Sequence, residues 1–511
     1  MPRTFAESVP RGRLALALLP GLAFAVWYAL SASRAAGGMG FPLDDSWIHA
    51  QFARNLATGH GFSYTGGRAV SGSTAPLWTV ALAAAYFIVR NMIAAALIAG
   101  VACQLTAGYY AVRLTQLFDV PRAVALLAAP LAVVTPVMVW GAVSGMEVPL
   151  AAMLVLAGLY HYLRAGDARG PRWIGAALLG LAALARPESL AIAAIVVGTE
   201  WLRPGPIGMR ALRFAEGSLI VAVVFAPLVL FSWYTIGHPL PTTFYAKSGP
   251  GILQALQTGD RAMLTRDVVV FGPAAVANFG LILLDQFGWS AWLLAAAAAG
   301  AVIARGARRV GLVLCAILLL VPFAMGLTAP QRLKPDNVRY AAQLVAVAVP
   351  LLAGGLYHLL RRPAFAAALI GMAAIFTAER AVRGVDTYAG SVRTIQQLQV
   401  LAGRWVAATL PAEAIVAVND VGAIAYFGNR RILDLEGLVS PEVLPYRRLR
   451  DRGLKTVTDF RPDYLVIFPH WYPDIAASPM FVEVRRIRVA DNVISAGDTL
   501  VVYRTPWARA P

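Results

Sequence analysis

Lysine and cysteine are almost missing from this chain. Its 511 residues include two cysteines, Cys103 and Cys315, and three lysines, Lys247, Lys334 and Lys455. Both cysteines fall inside apolar runs, so neither a disulfide framework nor a sulfur metal site has the spacing it needs. They read as small buried hydrophobes. Charged residues make up 14% of the chain, against about 25% in ordinary soluble domains. That deficit excludes a soluble enzyme, and disorder, collagen and coiled coil with it. There is no glycine-rich loop of the kind that cradles phosphates, no internal repeat and no low-complexity linker.

Apolar sequence fills the space instead, at 59% hydrophobic residues and a mean hydropathy of +0.64. Apolar runs near 14–33, 92–112, 123–141, 148–163, 173–185, 188–199, 212–232, 287–304, 310–327, 338–360 and 364–378 are candidate membrane spans. A span needs about 20 residues, so the shorter runs must borrow flanking residues or tilt. The first run lacks a cleavage signal and reads as an anchor. The formal charge of +17 would suggest nucleic acid in a soluble protein. Here the arginines cluster between runs, at Arg3/Arg11/Arg13, Arg113/Arg122, Arg164/Arg169/Arg172, Arg203/Arg210/Arg213, Arg305/Arg308/Arg309 and Arg361/Arg362. Placing all six clusters on the cytoplasmic side is self-consistent. The basic excess is then a topology signal, and nucleic acid is not an expected partner.

The expected fold is therefore a polytopic α-helical membrane protein of about eleven spans. Its amino terminus is cytoplasmic, in a bacterial inner membrane, and its carboxy terminus is periplasmic. Residues 75–89 are apolar but short and would break the parity, so they are expected to lie embedded or at the interface. The outer face collects residues 34–74, the turns at 144–147 and 186–188, and the segments 233–286 and 329–337. Residues 1–378 form the membrane domain and 379–511 an extracytoplasmic α/β domain. In that tail, short apolar runs at 414–418, 430–435, 463–468, 482–489 and 499–504 alternate with turn signals and predict strands. NDVGAIAYFGN between the first two predicts a helix closed by Gly428 and Asn429.

Polar chemistry concentrates in the first outer loop, residues 40–78. Asp44 and Asp45 follow Pro42 just outside the first span. Neighbours on a helix point about 100° apart, so the two carboxylates cannot face each other as an acid/base dyad. One can face a cavity as a general base while the other caps the helix from Ser46 to about Thr58. His49 and His60 share the loop but lack metal-ligand spacing. YTIGHPLPTTFYAKSG at 234–249 brings Thr243, Tyr245 and Lys247 to the end of an apolar span. QRLKPDNVRY at 331–340 brings Lys334 and Arg339 to the mouth of the next. Cationic groups from two loops suit an anionic lipid phosphate. Glu147, Arg186 and Glu188 complete the ionisable residues at outer span ends, where such groups usually face a cavity.

The motifs DDSWIHAQFARNLATGHGFSYTGG, SGSTAPLW, SGME, ARPES, HPLPTTFYAKSG and NVRY stand in the order seen in bacterial GT-C fold glycosyltransferases. The chain resembles the group containing the mycobacterial terminal β-(1→2)-arabinofuranosyltransferase. It is more distantly similar to protein O-mannosyltransferases and the lipid A aminoarabinose transferase. The resemblance spans residues 43–340, with NDVGAIAYFGNRRILDLEGL in the tail also in keeping. It implies an inverting transferase that takes a sugar, arabinofuranose or another pentose or hexose, from a polyprenyl-phosphate donor to a hydroxyl of an envelope glycan, lipid or protein. The catalytic aspartate maps onto Asp44/Asp45, with Asp44 leading. Lys247 and Arg339, with Lys334, become the phosphate contacts. His49, Arg54, His60, Glu147, Arg186, Glu188, Thr243 and Tyr245 become candidate substrate contacts. No cofactor is required, and a divalent cation is compatible with the site. The chain departs from its relatives at Gln51, where an arginine is common, and at 71–74. Those positions bear on sugar or acceptor identity. The competing readings are a flippase of lipid-linked sugars, which would call for midplane charges and a repeat, and a sensor, which would leave the acidic pair idle.

Overall fold

The structure, a computed structural model, describes residues 9–165, 171–247, 255–256, 258–329 and 331–508. Arg3, Arg169 and residues 248–249 of the motifs above lie outside them. The protein is a multi-pass bundle of apolar helices carrying a small sheet at its carboxy-terminal end. Among the described residues seven helical stretches are long and apolar enough to cross a membrane. They are Arg11–Ala36, Met92–Gln116, Ile207–Ile236, Arg261–Ile303, Arg308–Thr328, Ala342–Leu360 and Pro363–Thr409. An eighth results if the bent pair Arg122–Val133 and Pro136–Val143 counts as one. The expectation of eleven also counted the runs that form Val148–Arg164, Arg172–Ala185 and Ser189–Leu202. These are apolar but shorter than a full crossing. Residues 76–89, expected not to cross, form the 14-residue helix Pro76–Val89.

Two boundaries differ from expectation. Residues 261–286 were assigned to an outer loop, but they are helical and belong to the apolar stretch Arg261–Ile303, which breaks at Gly288, a residue at positive φ. A π turn at Asp267–Phe271 joins the helix Arg261–Arg266 to Gly272–Phe287. The expected division at 378/379 falls inside the 47-residue Pro363–Thr409 helix. Leu398, Ala402 and Val406, on its far end, join the core of the tail domain.

All five expected strands form: β1 (Ile415–Val418), β2 (Arg431–Asp434), β3 (Tyr464–Ile467), β4 (Val482–Arg488) and β5 (Thr499–Arg504). The sheet order is β2-β1-β3-β5-β4. β1 runs parallel to both β2 and β3, while β5 pairs antiparallel with β3 and β4. The helix Gly422–Gly428 makes the crossover from β1 to β2 and ends at Asn429 in the left-handed region, as its sequence predicted. Alternate residues of each strand face opposite ways. Val416, Val418 and Val466 therefore pack towards Ile48, Phe52 and Tyr64 of the first loop. Ala417, Leu465 and Val501 pack towards Val457 and Ile475 on the other side. One face of the sheet thus rests on the segment that carries the acidic pair.

Helices in lipid approach closely where side chains are small. A Cβ added at Gly355 would lie 2.0 Å from the Ala297 carbonyl oxygen, and one at Gly300 would lie 2.0 Å from that of Gly355. Gly355→Val should therefore force apart the helices that hold them. We expect a loss of roughly 1–3 kcal/mol, read as a lower thermal midpoint in detergent. Gly371→Ala, where an added Cβ meets nothing within 4 Å, should leave the midpoint unchanged or raised.

Candidate active site

The helix Asp44–Ala57 stands at the junction of bundle and tail domain, and its first turn decides the geometry. Trp47 is buried against Phe41, Tyr426 and Phe427, with ring centroids 4.7, 5.0 and 4.7 Å away. This packing fixes the rotation of the helix, so the adjacent carboxylates emerge in different directions.

Asp44 turns to the tail domain. Its two carboxylate oxygens accept from the backbone N–H groups of Gly422 and Ala423, at 2.6 and 2.8 Å. The expectation that the spare aspartate would cap its own helix is corrected: the helix has Leu43 at its N-cap position and no side-chain cap. Asp44 also does not line the cavity, and this removes the main reason for ranking it first as a base.

Asp45 turns to a cavity of about 320 Å³ between bundle and first loop. Its Oδ2 lies 2.9 Å from Arg339 Nη1 and 3.7 Å from Lys247 Nζ. The two cations come from separate loops and converge on one oxygen. Burial pushes the Asp45 carboxyl up, but Lys247 and Arg339 outweigh it and hold the group well below the usual carboxylate range. Asp45 reciprocally keeps Arg339 charged against its burial.

The opposite wall is a chain of buried ion pairs. Glu147 Oε1 lies 2.6 Å from Arg186 Nη1, and Glu147 Oε2 lies 3.3 Å from His49 Nε2. Arg332 reaches Glu188 at 3.5 Å. Tyr340 spaces the cations: Arg186, Arg332 and Arg339 stand over its ring at 4.8, 5.7 and 5.3 Å. Burial disfavours the charged Glu147 carboxyl, yet Arg186 and His49 hold its pKa low. Thr243 is buried on the cavity wall with no hydrogen-bond partner for its hydroxyl. Phe225, Leu228, Leu240 and Phe244 make one side of the cavity apolar.

Of the residues singled out in the sequence, Asp45, His49, Glu147, Arg186, Glu188, Thr243, Lys247 and Arg339 line this cavity. Others do not. Lys334 is exposed just before a 3-10 turn and does not line the cavity. Tyr245 stacks on His238, 5.0 Å away. His60 is exposed and pairs with Thr58 at 2.9 Å. Arg54 donates to the Tyr426 carbonyl at 3.0 Å and to Gln51 at 2.5 Å, so it ties the loop to the tail domain. Gln51 in turn donates to the Tyr64 carbonyl at 2.8 Å. Gly72 and Thr74, within the divergent 71–74 stretch, line the cavity, as does Leu438 of the tail. Sequence reasoning missed Arg332 and Tyr340. Both lay inside a quoted motif, but only their shared stacking reveals them. Among the described residues, no group of three His, Cys, Asp or Glu side chains could hold a metal ion.

A second acidic group, Asp420, stands beside Asp44 and accepts from Gln399 Nε2 at 2.8 Å. Burial first, then neighbouring carboxylates, raises the pKa of both. The folded chain therefore binds these protons more tightly than the unfolded chain. Stability from this pair falls as pH rises from the ordinary carboxylate range through the raised native value. Asp420→Asn keeps an oxygen for Gln399 and removes the charge. It should stabilise the protein by about 1–2 kcal/mol at pH 7.5, allowing for partial solvent screening, and by nothing at pH 4. Thermal unfolding at the two pH values checks this; a loss at pH 7.5 would contradict it.

Comparison with known proteins places this architecture. A family model described as "Domain of unknown function (DUF8728)" matches residues 390–503. No curated protein sequence matches the chain. Solved structures do. ArnT from Cupriavidus metallidurans bound to undecaprenyl phosphate superposes with a TM-score of 0.59 at 14% identity, over 98% of this chain and 100% of that one. The apo oligosaccharyltransferase of Archaeoglobus fulgidus gives 0.56 at 15% identity, over 87% and 69%. AglB from the same organism, in complex with an inhibitory peptide and a dolichol-phosphate, gives 0.56 at 14% identity, over 96% and 75%. The likeness extends over most of the chain in each case, and the chain is built on the GT-C glycosyltransferase fold.

Proposed function

We propose that this protein is an integral-membrane glycosyltransferase. It moves a sugar from a polyprenyl-phosphate donor to a hydroxyl group of an envelope glycan, lipid or protein, on the periplasmic side of a bacterial inner membrane. The observation that carries this reading is the convergence of Lys247 and Arg339 on Asp45 at the rim of a cavity with one apolar side. Two structures of the same fold hold a polyprenyl-type phosphate, undecaprenyl phosphate in one and dolichol-phosphate in the other. Lys247 and Arg339 supply the charge that such a phosphate needs, and Phe225, Leu228, Leu240 and Phe244 offer a surface for its hydrocarbon.

In this reading Asp45 is the general base. The acceptor oxygen attacks the anomeric carbon opposite the phosphate. A carbon–oxygen bond to the acceptor forms, and the bond from the anomeric carbon to the phosphate oxygen breaks. The hydroxyl proton passes to Asp45, and the polyprenyl phosphate leaves against Lys247 and Arg339. One displacement inverts the anomeric centre. A carboxylate held by two cations is a weak base. The donor phosphate brings competing negative charge to those cations, and Asp45 then recovers ordinary basicity. His49, Glu147 and Thr243 offer hydrogen-bonding groups for sugar hydroxyls. No cofactor is needed for this displacement, and a divalent ion would only add to charge that two side chains already supply.

Membranes or purified protein given radiolabelled polyprenyl-phosphate pentose and hexose donors with an envelope acceptor test the proposal. The wild type should transfer label from one donor class. Asp45→Asn should transfer about 10²–10⁴-fold more slowly, and Lys247→Met should raise the KM for the donor. Absence of transfer by wild type from every donor, or an Asp45→Asn variant as active as wild type, would overturn it.

A further inference from the structure

Within the acidic pair, the geometry divides the labour between the two residues. We infer that Asp44 is a positioning residue through which the tail domain aims Asp45 into the cavity. The inference rests on the transferase reading above. Residues 419–429 of the tail, a stretch the sequence analysis marked without a task, thereby become part of the catalytic apparatus.

The contact is built from both sides. Asp44 engages two consecutive backbone N–H groups at once, at 2.6 and 2.8 Å. A carboxylate bound through both oxygens loses the freedom to rotate that a single bond would leave. Gly422 is required by the approach: a Cβ there would lie 2.0 Å from the backbone oxygen of Asp44 and 2.9 Å from its carboxyl carbon. Two further bonds brace the same joint. Tyr64 donates its hydroxyl to the Val421 carbonyl at 2.8 Å, and Arg54 donates to that of Tyr426 at 3.0 Å. Arg54 also stacks on the Tyr426 ring, 4.1 Å from its centroid. The tail segment 421–426 thus holds the Asp44–Ala57 helix at its first turn through Asp44 and at its last through Arg54, and holds the loop beyond it through Tyr64.

Asp45 is the next residue on that turn. Its partners Lys247 and Arg339 lie on the short helix Thr242–Lys247 and the 3-10 turn Pro335–Tyr340, and among the described residues no hydrogen bond or ion pair joins either to the tail helix. Shifting the first turn would therefore move the carboxylate while leaving the cations in place. The effect should fall on the chemical step more than on donor binding, because a displacement of about 1 Å can cost about 100-fold in rate.

Gly422→Ala and Asp44→Asn test this with the full-length protein. The variants are assayed for binding of undecaprenyl phosphate, for kcat and KM of transfer, and for the pH profile of kcat/KM, which reports the free enzyme. We expect Gly422→Ala to bind undecaprenyl phosphate within about twofold of wild type while kcat drops by about 10- to 100-fold. We expect the acidic limb of its pH profile to move upward, since a displaced Asp45 loses its cations. Asp44→Asn, which can still accept one of the two N–H bonds, should lose less kcat than Asp44→Ala. Unchanged kcat in Gly422→Ala and Asp44→Ala, with wild type active, would overturn the inference and leave the transferase reading standing. A parallel fall in binding and kcat with an unmoved pH profile would reduce the contact to a structural role and overturn it as well. Should Gly422→Ala fail to fold, the graded pair at Asp44 decides alone. An inactive wild type would instead sink the transferase reading beneath it.

Discussion

The carboxylate of Asp44, held by the N–H groups of Gly422 and Ala423, is the contact on which the arrangement of this molecule turns. A helical bundle and an α/β domain have no intrinsic orientation to one another. Here the joint is specified by a polar contact whose direction is strict, seated in an aromatic cluster of Trp47, Phe41, Tyr426 and Phe427. Apolar packing supplies most of the energy, and the paired hydrogen bonds supply the angle. Once that angle is set, the neighbouring carboxylate has one direction left, into the cavity.

Inside the cavity the organising rule is that buried charges must be paired. Breaking one such pair costs about 3–5 kcal/mol because the remaining ion is stranded. Glu147 answers Arg186 and His49, Glu188 answers Arg332, and Asp45 answers Arg339 and Lys247. The first two groups are wall to wall and hold the shape of the site. The third lies at the rim of the cavity, where a ligand phosphate can replace the carboxylate without leaving either cation alone. In the proposed transferase, that difference lets the pair at Asp45 take part in chemistry while the pair at Glu147 keeps its place.

Much of this could be read from the sequence, and for physical reasons. Hydropathy located the apolar helices, and short apolar runs separated by turn signals located all five strands. Charged residues stranded at span ends identified most of the cavity wall, because a bilayer tolerates them only in a protein cavity. What could not be read was direction. Asp44 and Asp45 are identical in type and adjacent, and only the contact with Gly422, 378 residues away, separates their roles. Arg54 and His60 looked like site residues because they share a loop with Asp45, yet the helix turns them to the tail domain and to solvent. Lys334 was singled out in QRLKPDNVRY, but it is exposed, and Arg332 of the same motif lines the cavity instead. Residues 261–286 were assigned to a loop, yet they are helical through the π turn at Asp267–Phe271.

The central claim is that the donor phosphate and the Asp45 carboxylate compete for Lys247 and Arg339. The most direct measurement is the dissociation constant of undecaprenyl phosphate for wild type and for Asp45→Asn, at pH 7.5 and equal ionic strength. The account predicts tighter binding to Asp45→Asn, because the amide leaves both cations free for the phosphate. Binding that is weaker in Asp45→Asn than in wild type would contradict it, for the carboxylate would then be helping to hold the lipid instead of yielding to it.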